Sequence, residues 1–173
     1  MENNIETIVL GGGCFWCTEA IFQRVPGVIM VTPGYSGGDT ENPTYEEICE
    51  GNSDHIEVVK VDYDKNITNF EKLLQIFFAT HDPTRLNKQG NDEGEQYKSV
   101  IFYTNEDQKY ASVRMIENLE ESEHYHKPIV TEVVNLENFY EAEDYHKNYY
   151  NNHKDAPYCR LVTEPKLNKL TLS

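Results

Sequence analysis

The sequence predicts an α+β fold. Three observations carry this expectation. Period-two apolar segments alternate with segments of helical period, glycines and prolines punctuate the boundaries, and no repeat or low-complexity linker divides the chain. Residues 5–10 (Ile-Glu-Thr-Ile-Val-Leu) read as a strand running into Gly11-Gly12-Gly13. Cys14 to Val25 reads as a helix, with Phe15, Thr18, Phe22 and Val25 on one face and Pro26-Gly27 as its stop. Val28 to Val31 is a second strand, followed by a glycine-rich loop from Pro33 to Pro43. A short helix runs from Tyr45 to Cys49, and His55 to Tyr63 is a strand. Phe70, Leu73, Leu74, Phe77 and Phe78 then mark the clearest helix, with Thr68 and Glu71 as its capping box. His81 to Gln96 is a polar segment of a length that is usually functional or disordered. Lys98 to Tyr103 is a strand, and Glu106 to Glu121 is a helix with Tyr110, Val113 and Ile116 inward. Ile129 to Val134 is a strand, and Glu141 to Asn152 is a tyrosine-rich helix. The remainder, through Pro157 and Pro165, has no period and reads as a wrapping tail. This order suggests a ferredoxin-like α/β sandwich core with additional helices and an irregular C-terminal tail. One domain is expected over residues 1–173, with a core over 5–135 and the wrapping helix and tail over 136–173.

The composition excludes several function classes. Lys plus Arg is 15 and Asp plus Glu is 30, so the formal charge of −15 argues against binding nucleic acid or an anionic membrane surface. A hydrophobic content of 38% is too high for intrinsic disorder. No apolar run approaches the ~20 residues of a transmembrane helix, and Met1-Glu2-Asn3-Asn4-Ile5-Glu6 lacks the basic and apolar regions of a signal peptide. A reducing, cytoplasmic location is expected. There, four cysteines are more often catalytic, metal-binding or inert than bridged.

Gly11-Gly12-Gly13-Cys14-Phe15-Trp16-Cys17 is the most informative stretch. The glycines allow a tight turn and close approach of a substrate to the backbone. Cys14 falls at a helix N-terminus, where the dipole and free N–H groups stabilise a thiolate. Cys17 lies one helical turn on and is placed to form a disulfide with it after small adjustment. Two plainer readings stand beside this one. Both cysteines could be small buried hydrophobes, or the pair could be half of a zinc site, although no second CxxC or close His pair completes one. The four histidines His124, His126, His146 and His153 read as incidental, and His81 reads as a cap on the Phe70–Phe78 helix.

Gly13-Cys14-Phe15-Trp16, with Glu19 beyond it, resembles the signature of the A-type peptide methionine sulfoxide reductases. Further blocks resemble the family in order: Gly34-Tyr35-Ser36-Gly37-Gly38, Asn42-Pro43-Thr44-Tyr45-Glu46, Cys49-Glu50-Gly51, His55-Ile56-Glu57 and His81-Asp82-Pro83. Gln89-Gly90-Asn91-Asp92, Gln96-Tyr97-Lys98-Ser99, Ala142-Glu143-Asp144-Tyr145-His146 and Tyr158-Cys159 follow. The resemblance covers roughly residues 8–167 and implies a ferredoxin-like α+β core with an irregular tail. It also implies roles. Cys14 would attack the sulfoxide sulfur and become a sulfenic acid as methionine leaves. Glu57 would be the proton donor. It shares a strand face with Val59, Val61 and Tyr63, where apolar neighbours should raise its pKa, whereas on its own it reads as an edge-strand Glu facing water. Tyr45 and Tyr97 would donate their hydroxyls to the sulfoxide oxygen, and Asp92 would be a pocket acid. Taken alone, these are ordinary tyrosines and a turn aspartate. Phe15 and Trp16 would receive the methyl group. Core packing is an equally good reading for Phe15, while Trp16, the only Trp, is out of phase with the apolar helix face and is expected to be exposed in a site.

The sulfenic acid must be resolved by a second thiol and the disulfide opened by an external dithiol. Many family members have Gly where Cys17 stands and use tail cysteines, one of which Cys159 matches. Cys17 and Cys159 are therefore both expected in the relay, and either could attack first. Cys49 reads as a buried or inert thiol. The resemblance implies thioredoxin as reductant, with dithiothreitol able to replace it, and no metal or other bound cofactor. Oxidised proteins and free methionine sulfoxide would be substrates, and the chain would be a monomer. The competing readings are a thioredoxin-like dithiol oxidoreductase built on Cys14 and Cys17 and a zinc-stabilised binding module.

Overall fold

A computed structural model describes residues 4–51 and 53–168. In chain order the elements are β1 (Ile5–Gly11), α1 (Phe15–Phe22), β2 (Val28–Ser36), α2 (Tyr45–Cys49), β3 (Ile56–Asp64) and α3 (Phe70–Ala79). A hairpin of β4 (Lys88–Gln89) and β5 (Asp92–Glu93) precedes β6 (Val100–Tyr103), α4 (Glu106–Glu121), β7 (Glu132–Asn135) and β8 (Tyr140–Glu141). The tail carries α5 (Tyr149–Asn152) and a helical stretch over residues 157–168 that ends as α6 (Glu164–Asn168). Six strands form one sheet in the order β7-β6-β1-β3-β2-β8. Neighbours are antiparallel except β6 and β7. The central four, β6-β1-β3-β2, with α1 after β1 and α3 after β3, are the β-α-β-β-α-β arrangement of a ferredoxin-like fold.

The burial of both sheet faces explains why β1 and β3 read as near-continuous apolar runs. Ile8 and Leu10 join Val59, Val61 and Tyr63 beneath Phe15, Phe22, Leu73, Leu74 and Phe77 of the helices. Val9, Ile56, Val58, Val100 and Phe102 point to the other face, where Leu136 and Phe139 cover them.

Several local expectations are corrected. Strand β2 continues to Ser36 and takes in the first part of the predicted glycine-rich loop. Tyr35 pairs with Glu57 across the sheet and is fully buried. Gly34 permits this, because a Cβ there would collide with the Phe139 ring and the Tyr140 carbonyl. Helix α1 stops at Phe22, before Val25. The cap of α3 is Asn69, whose side chain accepts from the Lys72 N–H at 2.8 Å, while Thr68 buries its hydroxyl without a partner. Asn69→Ala is expected to lower stability by about 1 kcal/mol, read from the denaturant midpoint.

In α4, Tyr110 and Val113 face outward, with Tyr110 74% exposed. The inward positions are Gln108 and Ser112, flanked by Ala111, Met115 and Ile116. Gln108 takes a core position because its amide donates to the Thr7 carbonyl at 2.9 Å and accepts from the Thr104 N–H at 2.7 Å. Hydrophobic periodicity cannot see a buried residue satisfied in this way. The polar segment 81–96 is tied down by buried Gln89, which bonds both the N–H and the carbonyl of Asp82.

The predicted helix from Glu141 to Asn152 is broken into β8, one turn over Asp144–His146, and α5. Asn148 interrupts it in a left-handed conformation. Buried Glu19 of α1 receives the N–H groups of Asn148 and Tyr149 at 2.9 and 3.3 Å, which fastens this segment to the core. The tail beyond it is helical where an irregular path was expected. No helix among the described residues is long and apolar enough to cross a membrane.

Candidate active site

Gly13 takes φ +99°, and a Cβ there would press on the Gln89 side chain at 3.0 Å. This turn delivers Cys14 to the N-terminus of α1, where its carbonyl accepts from the Cys17 N–H at 3.1 Å and so starts the helix. The next N–H, that of Phe15, donates to Glu57 Oε1 at 3.2 Å. Glu57 lies on β3, on the inner face with Val59, Val61 and Tyr63, and is 1% exposed. Its other oxygen, Oε2, is buried without a partner. Burial pushes the Glu57 carboxyl up to about 8, the Phe15 bond opposes this, and the charge of Asp92 adds to it. At neutral pH the group is protonated.

The expected thiolate at Cys14 is not the resting form. Burial holds the thiol well above its ordinary range, and the charges of Glu57 and Cys17 push the same way. The neighbouring Tyr158 hydroxyl and the Trp16 N–H oppose this without overcoming it. The helix N-terminus that was to stabilise a thiolate instead spends its first N–H on Glu57.

Tyr45 and Tyr97 face the same space. Burial raises both phenols far above neutral pH, and both feel Glu57 and Cys14, so they are neutral donors. Tyr45 opens α2, and its N–H is gripped by Glu143 Oε2 at 3.0 Å. The other Glu143 oxygen accepts from the buried Tyr35 hydroxyl at 2.9 Å. Asp92, on β5, accepts from the Tyr158 hydroxyl at 2.6 Å.

Phe15 is fully buried, with its ring 5.6 Å from that of Tyr35 and 5.0 Å from that of His146. Trp16 is half-buried, short of the exposure expected for it. It stacks on Tyr149 at 3.8 Å and meets the edge of Tyr158 at 5.5 Å. Cys17, 1% exposed, lies 3.1 Å from the Thr163 hydroxyl and 3.7 Å from that of Tyr158. Cys159 is fully buried among Ala20 and Tyr150 and feels the charge of Cys17. All four thiols are free. Cys49, expected to be buried or inert, is exposed because it ends α2 at the surface, and it accepts from the Tyr45 hydroxyl.

Three members of this cluster escape sequence reasoning. Tyr158 is visible there only as the residue before Cys159. Glu143 and His146 sit in a segment that reads as one helix, where His146 looks incidental. Their signal is a run of polar residues that a solvated helix explains equally well. His81 does cap α3, through Nδ1 to the Phe77 carbonyl at 2.5 Å, and its Nε2 bonds the Ser99 hydroxyl at 2.7 Å. Among the described residues no three His, Cys, Asp or Glu side chains group as metal ligands.

A ferredoxin-like frame here gathers a buried thiol, a protonated carboxyl and two half-buried neutral phenols, a set of groups suited to a thiol-dependent enzyme of the α+β class. Comparison with known proteins makes the assignment specific: residues 6–173 match the family described as peptide methionine sulfoxide reductase, and the chain belongs to it. A peptide methionine sulfoxide reductase MsrA of a Nitratiruptor species is 55% identical over 164 residues, covering 95% of this chain and 93% of the relative. The reduced form of Mxr1 from Saccharomyces cerevisiae superposes with a TM-score of 0.84 at 29% identity, covering 90% of each chain. Mxr1 in complex with Trx2 shares the fold at a TM-score of 0.60 and 22% identity, covering 84% of this chain and 85% of that one. The protein is thus an A-type reductase of methionine sulfoxide.

Proposed function

We propose that the chain reduces the S epimer of methionine sulfoxide, free and in oxidised proteins, with Cys14 as nucleophile and Glu57 as proton donor. The observation that carries this is the free, buried oxygen of a protonated Glu57 beside the Cys14 thiol. Cys14 sulfur attacks the sulfoxide sulfur while Glu57 gives its proton to the sulfoxide oxygen, and the thiol proton passes back to Glu57. The S–S bond so formed then breaks as the hydroxyl passes from the substrate sulfur to the Cys14 sulfur, so methionine leaves and Cys14 is oxidised to a sulfenic acid. Tyr45 and Tyr97 stabilise the developing oxyanion as neutral donors, and Asp92 holds the Tyr158 hydroxyl at the same site. Phe15 and Trp16 form the socket for the methyl group.

Cys17 then attacks the sulfenic acid, water leaves, and a Cys14–Cys17 disulfide forms. Cys17 is favoured over Cys159 for this step because it follows Cys14 by one turn of α1, whereas Cys159 comes to the site from the tail. Exchange with Cys159 then moves the disulfide from the active-site helix to the tail. The wide helical turn Cys159–Thr163 that carries it is a conformation enriched at functional sites. Thioredoxin is the reductant, by analogy with the Mxr1–Trx2 complex.

Turnover of defined epimers with dithiothreitol tests the reaction. Activity on the S epimer is expected, and absence of activity on either epimer with intact thiols would defeat the proposal. With thioredoxin as reductant, Cys17→Ser is expected to lose steady-state turnover by about 100-fold while still releasing a first equivalent of methionine, since only recycling is lost. Cys159→Ser should retain the Cys14–Cys17 disulfide and slow its reduction. A Cys17→Ser enzyme that cycles normally would transfer the first resolving step to Cys159.

A further inference from the structure

His146 is fully buried, yet it belongs to a short turn far along the chain from the nucleophile. Its Nδ1 accepts the indole N–H of Trp16 at 3.0 Å. Its ring lies 4.3 Å from that of Tyr45, 5.0 Å from that of Phe15 and 4.1 Å from that of Tyr145. Nε2 is buried with no partner, so the bond from Trp16 is the hydrogen bond that orients the ring. Because Nδ1 accepts, the neutral ring carries its proton on Nε2, inside an aromatic cage. Burial lowers the His146 pKa from its ordinary value, with Glu143 opposing, and this keeps the accepting form dominant at neutral pH.

Trp16 is held by a stacked ring, by the edge of Tyr158 and by one hydrogen bond. Tyr149 covers one face at 3.8 Å, which leaves the indole free to slide in its plane. The His146 bond removes that freedom. We propose that His146 is a positioning residue that fixes the Trp16 indole and so sets the width of the socket for the alkyl group on the sulfoxide sulfur. This rests on the reading of Trp16 as a wall of the methyl socket. A rigid wall discriminates against one added methylene, which a hydrophobic pocket resolves by about 10–200-fold.

The test uses the full chain, whose only Trp reports directly on the bond. His146→Leu removes the acceptor, and His146→Asn keeps one near Nδ1. In His146→Leu the tryptophan emission maximum should shift and acrylamide quenching should rise. The kcat/KM ratio of methionine sulfoxide over ethionine sulfoxide should fall by about 10-fold, through KM and kcat of the smaller substrate. His146→Asn should restore much of both. On a Trp16→Phe background, His146→Leu should change the ratio no further. If His146→Leu does not fold, solvent exchange of the single indole N–H in the wild-type protein decides: slow exchange supports the bond and fast exchange overturns it. Wild-type emission and an unchanged ratio in His146→Leu would also overturn the proposal. Failure of the wild-type enzyme to reduce methionine sulfoxide would instead strike the reading of the site, and the indole measurements would stand apart from it.

Discussion

Cys14→Ser is expected to abolish methionine sulfoxide reduction, with a loss of at least the order of 10⁴-fold, as removal of an enzyme's nucleophile generally does. Sulfoxide sulfur is a soft centre, and serine offers a hard, poorly ionised oxygen. No other thiol substitutes. Cys17 is held against Thr163 and Tyr158, Cys159 is enclosed by Ala20 and Tyr150, and Cys49 ends α2 against the Tyr45 hydroxyl rather than starting a helix beside Glu57. The fold should survive, because Cys14 makes no side-chain cap to α1 and its carbonyl bonds are main-chain. Unchanged circular dichroism with lost activity, in dithiothreitol and thioredoxin alike, is the expected pair of results.

Glu57→Gln is expected to lower kcat/KM by about 10²–10⁴-fold, the usual worth of a positioned general acid. Glutamine can still accept from the Phe15 N–H, so α1 and Cys14 keep their places. What disappears is the proton. The wild-type profile should be flat toward neutral pH and fall as pH rises through about 8, where Glu57 ionises. The sign follows from two effects in the same direction. Ionised Glu57 has no proton to give, and its charge pushes the Cys14 thiol higher still. Glu57→Gln should lose that limb along with most of its activity. A variant that keeps the limb would show that another group titrates there.

Much of the fold is legible in the sequence because its central strands and α3 are built from apolar residues whose period is their structure. Ile8, Leu10, Val59, Val61 and the Phe70–Phe78 face lie where the pattern puts them. The failures share one cause. Gln108, Asn69 and Gly34 act through hydrogen bonds or the absence of a side chain, and hydrophobicity registers neither. The same holds at the site. Cys14 stands out in the sequence through a glycine turn and a helix start, whereas Glu57 taken alone reads as an edge-strand carboxylate and is singled out only by the family resemblance. Tyr158, Glu143 and His146 reach the site from the tail and its approach, across sequence separations that no local pattern spans. The protonation state of Cys14 is not legible either, because its burial beside Glu57 is a tertiary fact.

The central claim is that Cys14 takes the sulfoxide oxygen before any reductant is needed. Mixing the reduced enzyme with S-epimer substrate and no external thiol measures this directly. A rapid release of at least one equivalent of methionine is predicted, with the disulfide recovered at Cys17–Cys159 in the wild type and held at Cys14–Cys17 in Cys159→Ser. The absence of a burst from the fully reduced wild-type enzyme, or an equal burst from Cys14→Ser, would contradict it.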